Sequence, residues 1–320
     1  MRSPSGASTT PATTPATTTR LRRASAALVR RSLPLLCASV LAAAPATAQR
    51  PLKVFISVDI EGIGGVGTPQ MTRSDGKDYA VSRRLATDEV NAVVAAVLQQ
   101  GAAEVLVNDS HGDMQNLLHT ELDPRVTYIQ GAVKPVGMVE GLDSTFDAAI
   151  FLGYHSRAGT PGGFLAHTGT GSVKGMWIND REVGEGELNA AYAGALGVPV
   201  ILASGDSAFV AQFGQTVRAE LVSTKTAVTG QAARLIHPKV VQQRLSDATR
   251  RALARAATAT PMDVGNPVRV RIRFADPTLA QILEAIPGVQ RVDGYTVGFT
   301  AGSMAEAYPL IRLMYRFVSI

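Results

Sequence analysis

The sequence predicts an α/β fold: a mostly parallel sheet covered by helices, with a smaller C-terminal α+β region. Between residues 52 and 205, short apolar runs alternate with segments of helical periodicity. This pattern is typical of parallel strands that are buried on both faces. Beyond about residue 206 the pattern changes, and apolar and charged residues alternate over 268–274. That alternation indicates a strand with one exposed face.

The strands of the first region are recognised by short runs rich in β-branched and other apolar residues. They are predicted over residues 52–56, 105–107, 126–129, 148–152 and 199–203.

The helices are recognised by apolar residues at helical spacing. Two are predicted over 79–100 and 188–196, because each such segment is followed directly by a glycine, a common helix terminator. In the second region we expect an exposed helix over 238–257, a strand over 295–299 and a closing helix over 304–318.

The first 48 residues are predicted to be a secretory signal peptide. An arginine cluster precedes an apolar stretch at about residues 33–44 and the small-x-small sequence Ala46-Thr47-Ala48, which is the order of such a signal. The apolar stretch is shorter than a transmembrane helix requires. We expect cleavage after Ala48, export to the periplasm or the exterior, and no membrane attachment afterwards. An uncleaved anchor or a transit peptide is the alternative.

Removal of this segment changes the charge balance. The complete chain has 31 basic and 26 acidic residues, and residues 1–48 contain six arginines and no acid. The remaining 25 basic residues do not form the surplus that nucleic-acid-binding proteins carry. The single cysteine, Cys37, lies in the same segment. Any metal in the mature chain must therefore be held by His, Asp and Glu.

Candidate metal ligands follow three of the predicted strands at the points where they end. Asp59 and Glu61 follow the first strand, Asp109 and His111 the second, and His155 a third. Ligand sites in open α/β sheets lie outside the carboxyl ends of the strands. Two carboxylates that point the same way require a cation or a shared proton. Because imidazoles join them, we predict a site for Zn, Mn or a similar ion, with enough carboxylates to bridge two ions.

The glycine-rich segment 62–67 has a second interpretation. It matches G-x-G-x-x-G directly after a strand, the fingerprint of dinucleotide binding. That fingerprint also opens a helix, whereas Pro69, Ser74, Asp75 and Gly76 indicate a loop. The preceding carboxylates would also repel a pyrophosphate. We therefore interpret the segment as a turn beside the metal site.

Several long segments resemble the zinc-dependent D-aminopeptidase family first associated with a bacterial dipeptide-transport operon. The resemblance covers most of the chain from Lys53 onward. It is densest in SVDIEG (57–62), EVLVNDSHG (104–112), VKPVGMVEGLD (133–143), FLGYHSRAGTPG (151–162), AHT (166–168) and INDREVGEGELNA (178–190).

The resemblance implies roles for individual residues. His167 is the catalytic residue, acting as general acid/base or as nucleophile. Glu187 competes with Glu185 as a ligand, because this chain has two acids before Leu188. Two zinc ions per subunit are expected, with the metal ligands Asp59, Glu61, His111, His155 and Glu185.

Three further polar residues are interpreted as playing supporting or surface roles. Asp109 is expected to orient a ligand imidazole and not to bind metal itself. His119 and His237 are interpreted as surface histidines.

The resemblance also implies an activity and an assembly. The expected reaction removes an N-terminal D-amino acid, such as D-Ala, from short peptides or amides, within a ring-shaped homo-oligomer such as a decamer. Another exported metal-dependent amidohydrolase, such as an L-aminopeptidase, is one alternative. A non-catalytic peptide-binding component of an uptake system is the other. Residues 49–205 are predicted to form the metal-binding catalytic domain and residues 206–320 the smaller domain.

Overall fold

The computed structural model describes residues 52–317, which contain twelve strands and six helices. The helices are α1 (Tyr79–Gln99), α2 (Glu185–Ala195), α3 (Ser207–Phe213), α4 (Pro238–Leu253), α5 (Pro277–Leu283) and α6 (Met304–Arg316). The strands are β1 (Leu52–Val58), β2 (Ala102–Asp109), β3 (Thr127–Ile129), β4 (Ala148–Tyr154), β5 (Val173–Ile178), β6 (Arg181–Glu182), β7 (Val200–Asp206), β8 (Glu220–Thr229), β9 (Ala232–Leu235), β10 (Val268–Phe274), β11 (Gln290–Arg291) and β12 (Thr296–Ala301).

The larger sheet has seven strands in the order β3-β2-β1-β4-β7-β8-β9. Its pairs are parallel except for the β8–β9 hairpin. Successive side chains of β1 enter different cores, because a strand points its residues alternately to its two faces. Phe55 packs into one cluster, whereas Val54 and Ile56 pack into the other. Coverage of both faces explains the uninterrupted apolar runs and confirms the predicted α/β class.

Helices α1 and α4 cover one face of this sheet through residues such as Val90, Val94 and Leu245. The opposite core contains residues of α2, α6 and a second, antiparallel sheet in the order β11-β12-β10-β5-β6. In β10, Val268, Val270, Ile272 and Phe274 are buried while the arginines between them are less so. The predicted half-exposed strand is therefore confirmed.

Residues 52–317 belong to one compact unit. β7 pairs with β8, and β5 pairs with β10, so both sheets take strands from each side of residue 206. The boundary predicted between residues 205 and 206 therefore does not separate two compact units. Residues 1–48, the predicted signal peptide, lie outside the described residues. Within 52–317, none of the helices combines the length and apolarity that crossing a bilayer requires.

Candidate metal centre and active site

The three ligand-bearing strands β2, β1 and β4 are adjacent in the larger sheet. Val58 at the end of β1 is in register with Asp109 on one side and Leu152 on the other. The loops that leave these strands therefore meet at one edge. Gly62 lets the β1 loop lie directly against β4, since a Cβ at this position would collide with the carbonyl of Tyr154.

One cluster of candidate ligands contains Asp59, Glu61 and His111. His111 Nδ1 lies 3.1 Å from Asp59 Oδ1 and 2.9 Å from Glu61 Oε2. The other ring nitrogen, Nε2, donates to the carbonyl of Thr72 at 2.8 Å. A carbonyl only accepts hydrogen bonds, so this contact directs Nδ1 toward the two carboxylates, as a metal-binding imidazole requires.

A second cluster contains His155, His167 and Glu185. Glu185 Oε2 lies 3.5 Å from His155 Nε2, and its Oε1 lies 3.6 Å from His167 Nε2. As in the first cluster, each imidazole contacts a backbone carbonyl, but here through Nδ1. The distance is 3.0 Å from His155 to Ser156 and 2.9 Å from His167 to Leu165. Both Nε2 atoms are thereby left facing the site.

Asp59 joins the two clusters. Its Oδ2 lies 3.4 Å from His155 Nε2, while its Oδ1 faces His111. A carboxylate with one oxygen facing each cluster has the position of a ligand that bridges two metal ions. The structure therefore brings together the six residues predicted for the site: Asp59, Glu61, His111, His155, His167 and Glu185.

Two buried atoms of these clusters have polar neighbours within 3.4 Å but form no well-aligned hydrogen bond among the described residues. They are Glu61 Oε2 and His155 Nε2. A buried donor or acceptor without a partner is costly, and both atoms point into the centre of the site. Carboxylate oxygen and imidazole nitrogen are ligands that zinc accepts. The residues present therefore fit a zinc site.

The ionisation of the site reflects crowded charges in a buried place. Burial, and then the neighbouring Glu61 carboxylate, raise the pKa of Asp59 to about 7. Burial also opposes ionisation of Glu61, but His111 outweighs it and holds the pKa of Glu61 well below its usual range. The adjacent carboxylates thus retain a proton that a cation would replace.

The three histidines of the site differ in the direction in which their pKa values are shifted. Burial disfavours the charged form of His155, but Glu185 and then Asp59 overcome it and raise its pKa to about 10. Burial likewise opposes the charge on His111, and Glu61 and Asp59 raise its pKa well above the ordinary value. The pKa of His167 is lowered, first by burial and then by the neighbouring His155. The surrounding carboxylates thus favour the charged form of His111 and His155.

Glu185 and Glu187 have different surroundings. Glu185 begins α2 and faces the two histidines. Glu187 points away from them: its Oε2 accepts from the Gly184 N–H at 2.9 Å and its Oε1 from Gln212 Nε2 at 2.8 Å. Glu187 thus caps the helix, and the geometry favours Glu185 as the candidate ligand.

The expectation that Asp109 orients a ligand imidazole is wrong. Its carboxylate accepts from the backbone N–H groups of Asn116 and Leu117, from the Asn116 amide and from the Tyr128 hydroxyl. Asn116 Nδ2 also donates to the carbonyl of His111 at 2.8 Å. Asp109 therefore orders the loop that carries His111 through its backbone. The sequence shows the proximity of Asp109 to His111 but not the direction of its side chain.

The remaining predictions about this region also have clear outcomes. His119 and His237 are exposed, and His237 caps α4 by accepting from the Lys239 N–H. The glycine-rich segment does not open a helix, because turns and a short 3-10 helix precede α1. This placement disagrees with the dinucleotide fingerprint, whose last glycines begin a helix.

A small cavity of about 120 Å³ adjoins both clusters and is lined by Asp59, His167 and Glu185. Arg312 and Tyr315 of α6 also line it, and neither residue was predicted for the site. One feature of the sequence could have indicated a role for them: an arginine lies on the apolar face of a helix. Tyr308, Ile311, Arg312 and Tyr315 follow helical spacing, and all four are buried.

Comparisons with known proteins agree with this site. A family model described as D-aminopeptidase, peptidase family M55, matches residues 52–313. A D-aminopeptidase of Bacillus subtilis (strain 168) is 36% identical over 265 residues, which cover 82% of this chain and 96% of the relative. The solved structure of the Zn-dependent D-aminopeptidase DppA from Bacillus subtilis, described as a self-compartmentalizing protease, matches with a TM-score of 0.80 at 35% identity. That match covers 84% of this chain and 100% of the other. The chain described here therefore belongs to the D-aminopeptidase family.

Proposed function

We propose that this protein is a zinc-dependent D-aminopeptidase that removes N-terminal D-residues such as D-Ala from short peptides or amides. The observation that carries the proposal is the pair of ligand clusters joined by Asp59, in a chain 36% identical to a D-aminopeptidase.

Two zinc ions per subunit are part of the proposal. Asp59, Glu61 and His111 would hold one ion, and Asp59, His155 and Glu185 the other. When bound, zinc supplies Lewis-acid polarisation of the scissile carbonyl and makes a nearby water more acidic. The chain's own contribution is a rigid ligand set. In each ligand histidine, the ring nitrogen that faces away from the site is fixed on a backbone carbonyl.

His167 is proposed to move the proton in the reaction. Its Nδ1 donates to the Leu165 carbonyl, so the neutral ring carries its lone pair on Nε2. Its lowered pKa, caused by burial and by His155, favours this neutral form. Nε2 faces the cavity side of Glu185, where it can accept a proton from the attacking water and return it to the leaving amine. We therefore propose that His167 acts as a general acid/base.

Stereospecificity for the D-residue is supported by the two relatives and by the family model. An L-aminopeptidase or other amidohydrolase with the same metal centre would differ in which enantiomer it releases. A non-catalytic peptide-binding protein is not favoured, because peptide binding alone does not require a set of metal ligands around His167.

A homo-oligomer is also proposed. The solved relative is described as self-compartmentalizing, and α6 carries exposed apolar side chains at Leu313 and nearby Phe317. A closed ring, such as the decamer expected above, would bury them. Light scattering on a size-exclusion column tests this point, and a strictly monomeric protein would contradict it. Export through residues 1–48 is proposed as well, and the N-terminal sequence of the exported protein tests it.

The function is tested by the release of alanine from D-Ala-D-Ala, from its L-L counterpart and from D-Ala amide. The zinc-loaded protein is compared with chelator-treated protein and with Asp59→Ala. We expect release from the D-substrates, its loss after chelation or substitution, and its return when zinc is restored to the chelated protein. Equal turnover of the L-L peptide would contradict D-specificity, and activity in Asp59→Ala would contradict the metal mechanism.

A further inference from the structure

Within residues 52–317, Arg312 of α6 is a buried cation that forms no ion pair. Its side chain is 6% exposed and lines the cavity that Asp59 and Glu185 also line. Nη1 donates to the Tyr315 hydroxyl at 3.0 Å, whereas Nε is buried with no hydrogen-bond partner. Among residues 52–317, no carboxylate lies within ion-pair distance of this guanidinium.

A buried guanidinium is unfavourable unless it is paired, because it loses its hydration. Arginine presents its N–H donors in a planar fork that matches the two oxygens of a carboxylate. This buried guanidinium has no carboxylate ion-pair partner among the described residues, and it lines the cavity. It therefore points to an anionic ligand of carboxylate geometry.

The surrounding chain is shaped to admit this side chain. A Cβ on Gly137 would collide with the guanidinium of Arg312, and a Cβ on Gly169 would lie 2.7 Å from Cδ2 of Tyr315. Both glycines have positive φ. The Gly169 N–H also donates to Glu185 Oε1 at 2.6 Å. The Arg312–Tyr315 pair thus packs against the same segment that holds a candidate zinc ligand.

We propose that Arg312, positioned by Tyr315, binds the free α-carboxylate at the C-terminal end of a very short peptide substrate. The inference rests on the proposed aminopeptidase function and assigns it a preference for dipeptides with an unblocked C-terminus. The cavity is lined by carboxylates, histidines and a guanidinium, groups that match the amine and the carboxylate of a zwitterion. Its volume of about 120 Å³ suits a small molecule.

The test compares kcat/KM for D-Ala-D-Ala with kcat/KM for D-alanyl-D-alanine amide in each zinc-loaded protein. A charge-assisted bidentate contact should give a preference for the free carboxylate of about 10–100-fold. In Arg312→Gln this ratio should fall toward about one, and in Arg312→Lys it should take an intermediate value, because lysine keeps the charge but not the fork. Arg244→Gln removes an exposed arginine of α4 that does not line this cavity and should keep the ratio.

The ratio is internal to each preparation, so it is independent of zinc loading and of the folded fraction. A wild-type ratio near one, or an Arg312→Gln ratio equal to that of the wild type, would overturn the proposal. Equal losses on both substrates would assign Arg312 to the scissile carbonyl or to stability and would also overturn it. Should Arg312→Gln not fold, the Arg312→Lys ratio decides.

Failure of the broader function can be told apart from failure of this inference. If the wild-type protein cleaves neither substrate, the aminopeptidase proposal fails. The Kd values of the same two molecules, measured by calorimetry on zinc-loaded wild type and Arg312→Lys, then test the carboxylate contact alone. Tighter binding of the free carboxylate that weakens in Arg312→Lys supports it, and equal binding overturns it.

Discussion

The imidazole rings of His155 and His167 lie stacked, with centroids 4.0 Å apart and planes inclined by 13°. Two imidazoles this close do not favour both being charged. His155 lies between Asp59 and Glu185, which raise its pKa to about 10 against the effect of burial. The pKa of His167 is lowered by burial and by His155. One ring is thus placed for a metal or a proton, and the other is placed as a neutral base.

We expect His167→Ala to lower kcat by about 10²–10⁴-fold, the range for loss of a general acid/base, while the protein keeps two zinc ions per chain. The measurement combines steady-state kinetics with metal analysis of the same preparation. His119→Ala, which removes an exposed histidine, should match the wild type in both. Loss of zinc in His167→Ala would instead make His167 a ligand, which its place in the second cluster also permits.

Zinc affinity is expected to rise with pH. The ligands must lose protons to bind, and the metal-free site holds them on His155, with a pKa raised to about 10, and on Asp59, with a pKa raised to about 7. Each displaced proton strengthens binding about tenfold per pH unit while its group is still protonated. The gain in zinc affinity per pH unit should therefore be largest below about pH 7 and smaller above it, where Asp59 has already ionised. Competition with a chelator of known proton affinities measures it, and a flat profile would contradict the account.

Glu185→Gln and Glu187→Gln form a matched pair on the first turn of α2. Glu185→Gln should lose at least one zinc ion, because a neutral amide replaces a carboxylate that faces both histidines. Glu187→Gln should keep both ions but lose about 1 kcal/mol of stability, through one weakened hydrogen bond at the helix start. Metal analysis and urea unfolding distinguish them. The reverse pattern of zinc loss would reassign the ligand to Glu187.

Lys225→Met is expected to destabilise the protein by about 1–3 kcal/mol, the cost of leaving buried carbonyls unpaired. The Lys225 ammonium is fully buried and donates to the carbonyls of Glu61 and Val66, which bracket the glycine-rich turn. Lys174→Met is the control, because exposed Lys174 also donates to a backbone carbonyl, that of Gly171. Urea unfolding should show a loss in the first variant and little change in the second. Equal stability of the two variants would refute this role.

Local sequence patterns predicted the parallel core of the fold well. The runs that became β1, β4 and β7 are mainly apolar because both faces of the sheet are covered. The position of ligands after these strands followed from the geometry of parallel sheets, so the edge of the site could be predicted without coordinates. α1 was predicted over 79–100 and extends over Tyr79–Gln99, since its spacing and terminating glycine are local signals.

Features that depend on distant parts of the chain were not predicted. β5 is a strand because it pairs with β10, almost a hundred residues further on, and its own sequence, VKGMWI, alternates poorly. Arg312 and Lys225 were overlooked because a single basic residue in a helix or strand is usually solvated. Their burial arises from tertiary packing, which brings α6 and β8 to a site formed by β1, β2 and β4.

Anomalous X-ray scattering from crystals of the zinc-loaded protein, recorded on both sides of the zinc absorption edge, tests the metal centre most directly. We expect two zinc peaks, one among Asp59, Glu61 and His111 and one among Asp59, His155 and Glu185. The proposed metal centre would be contradicted if these residues held no zinc while zinc, or the activity, was located elsewhere on the chain.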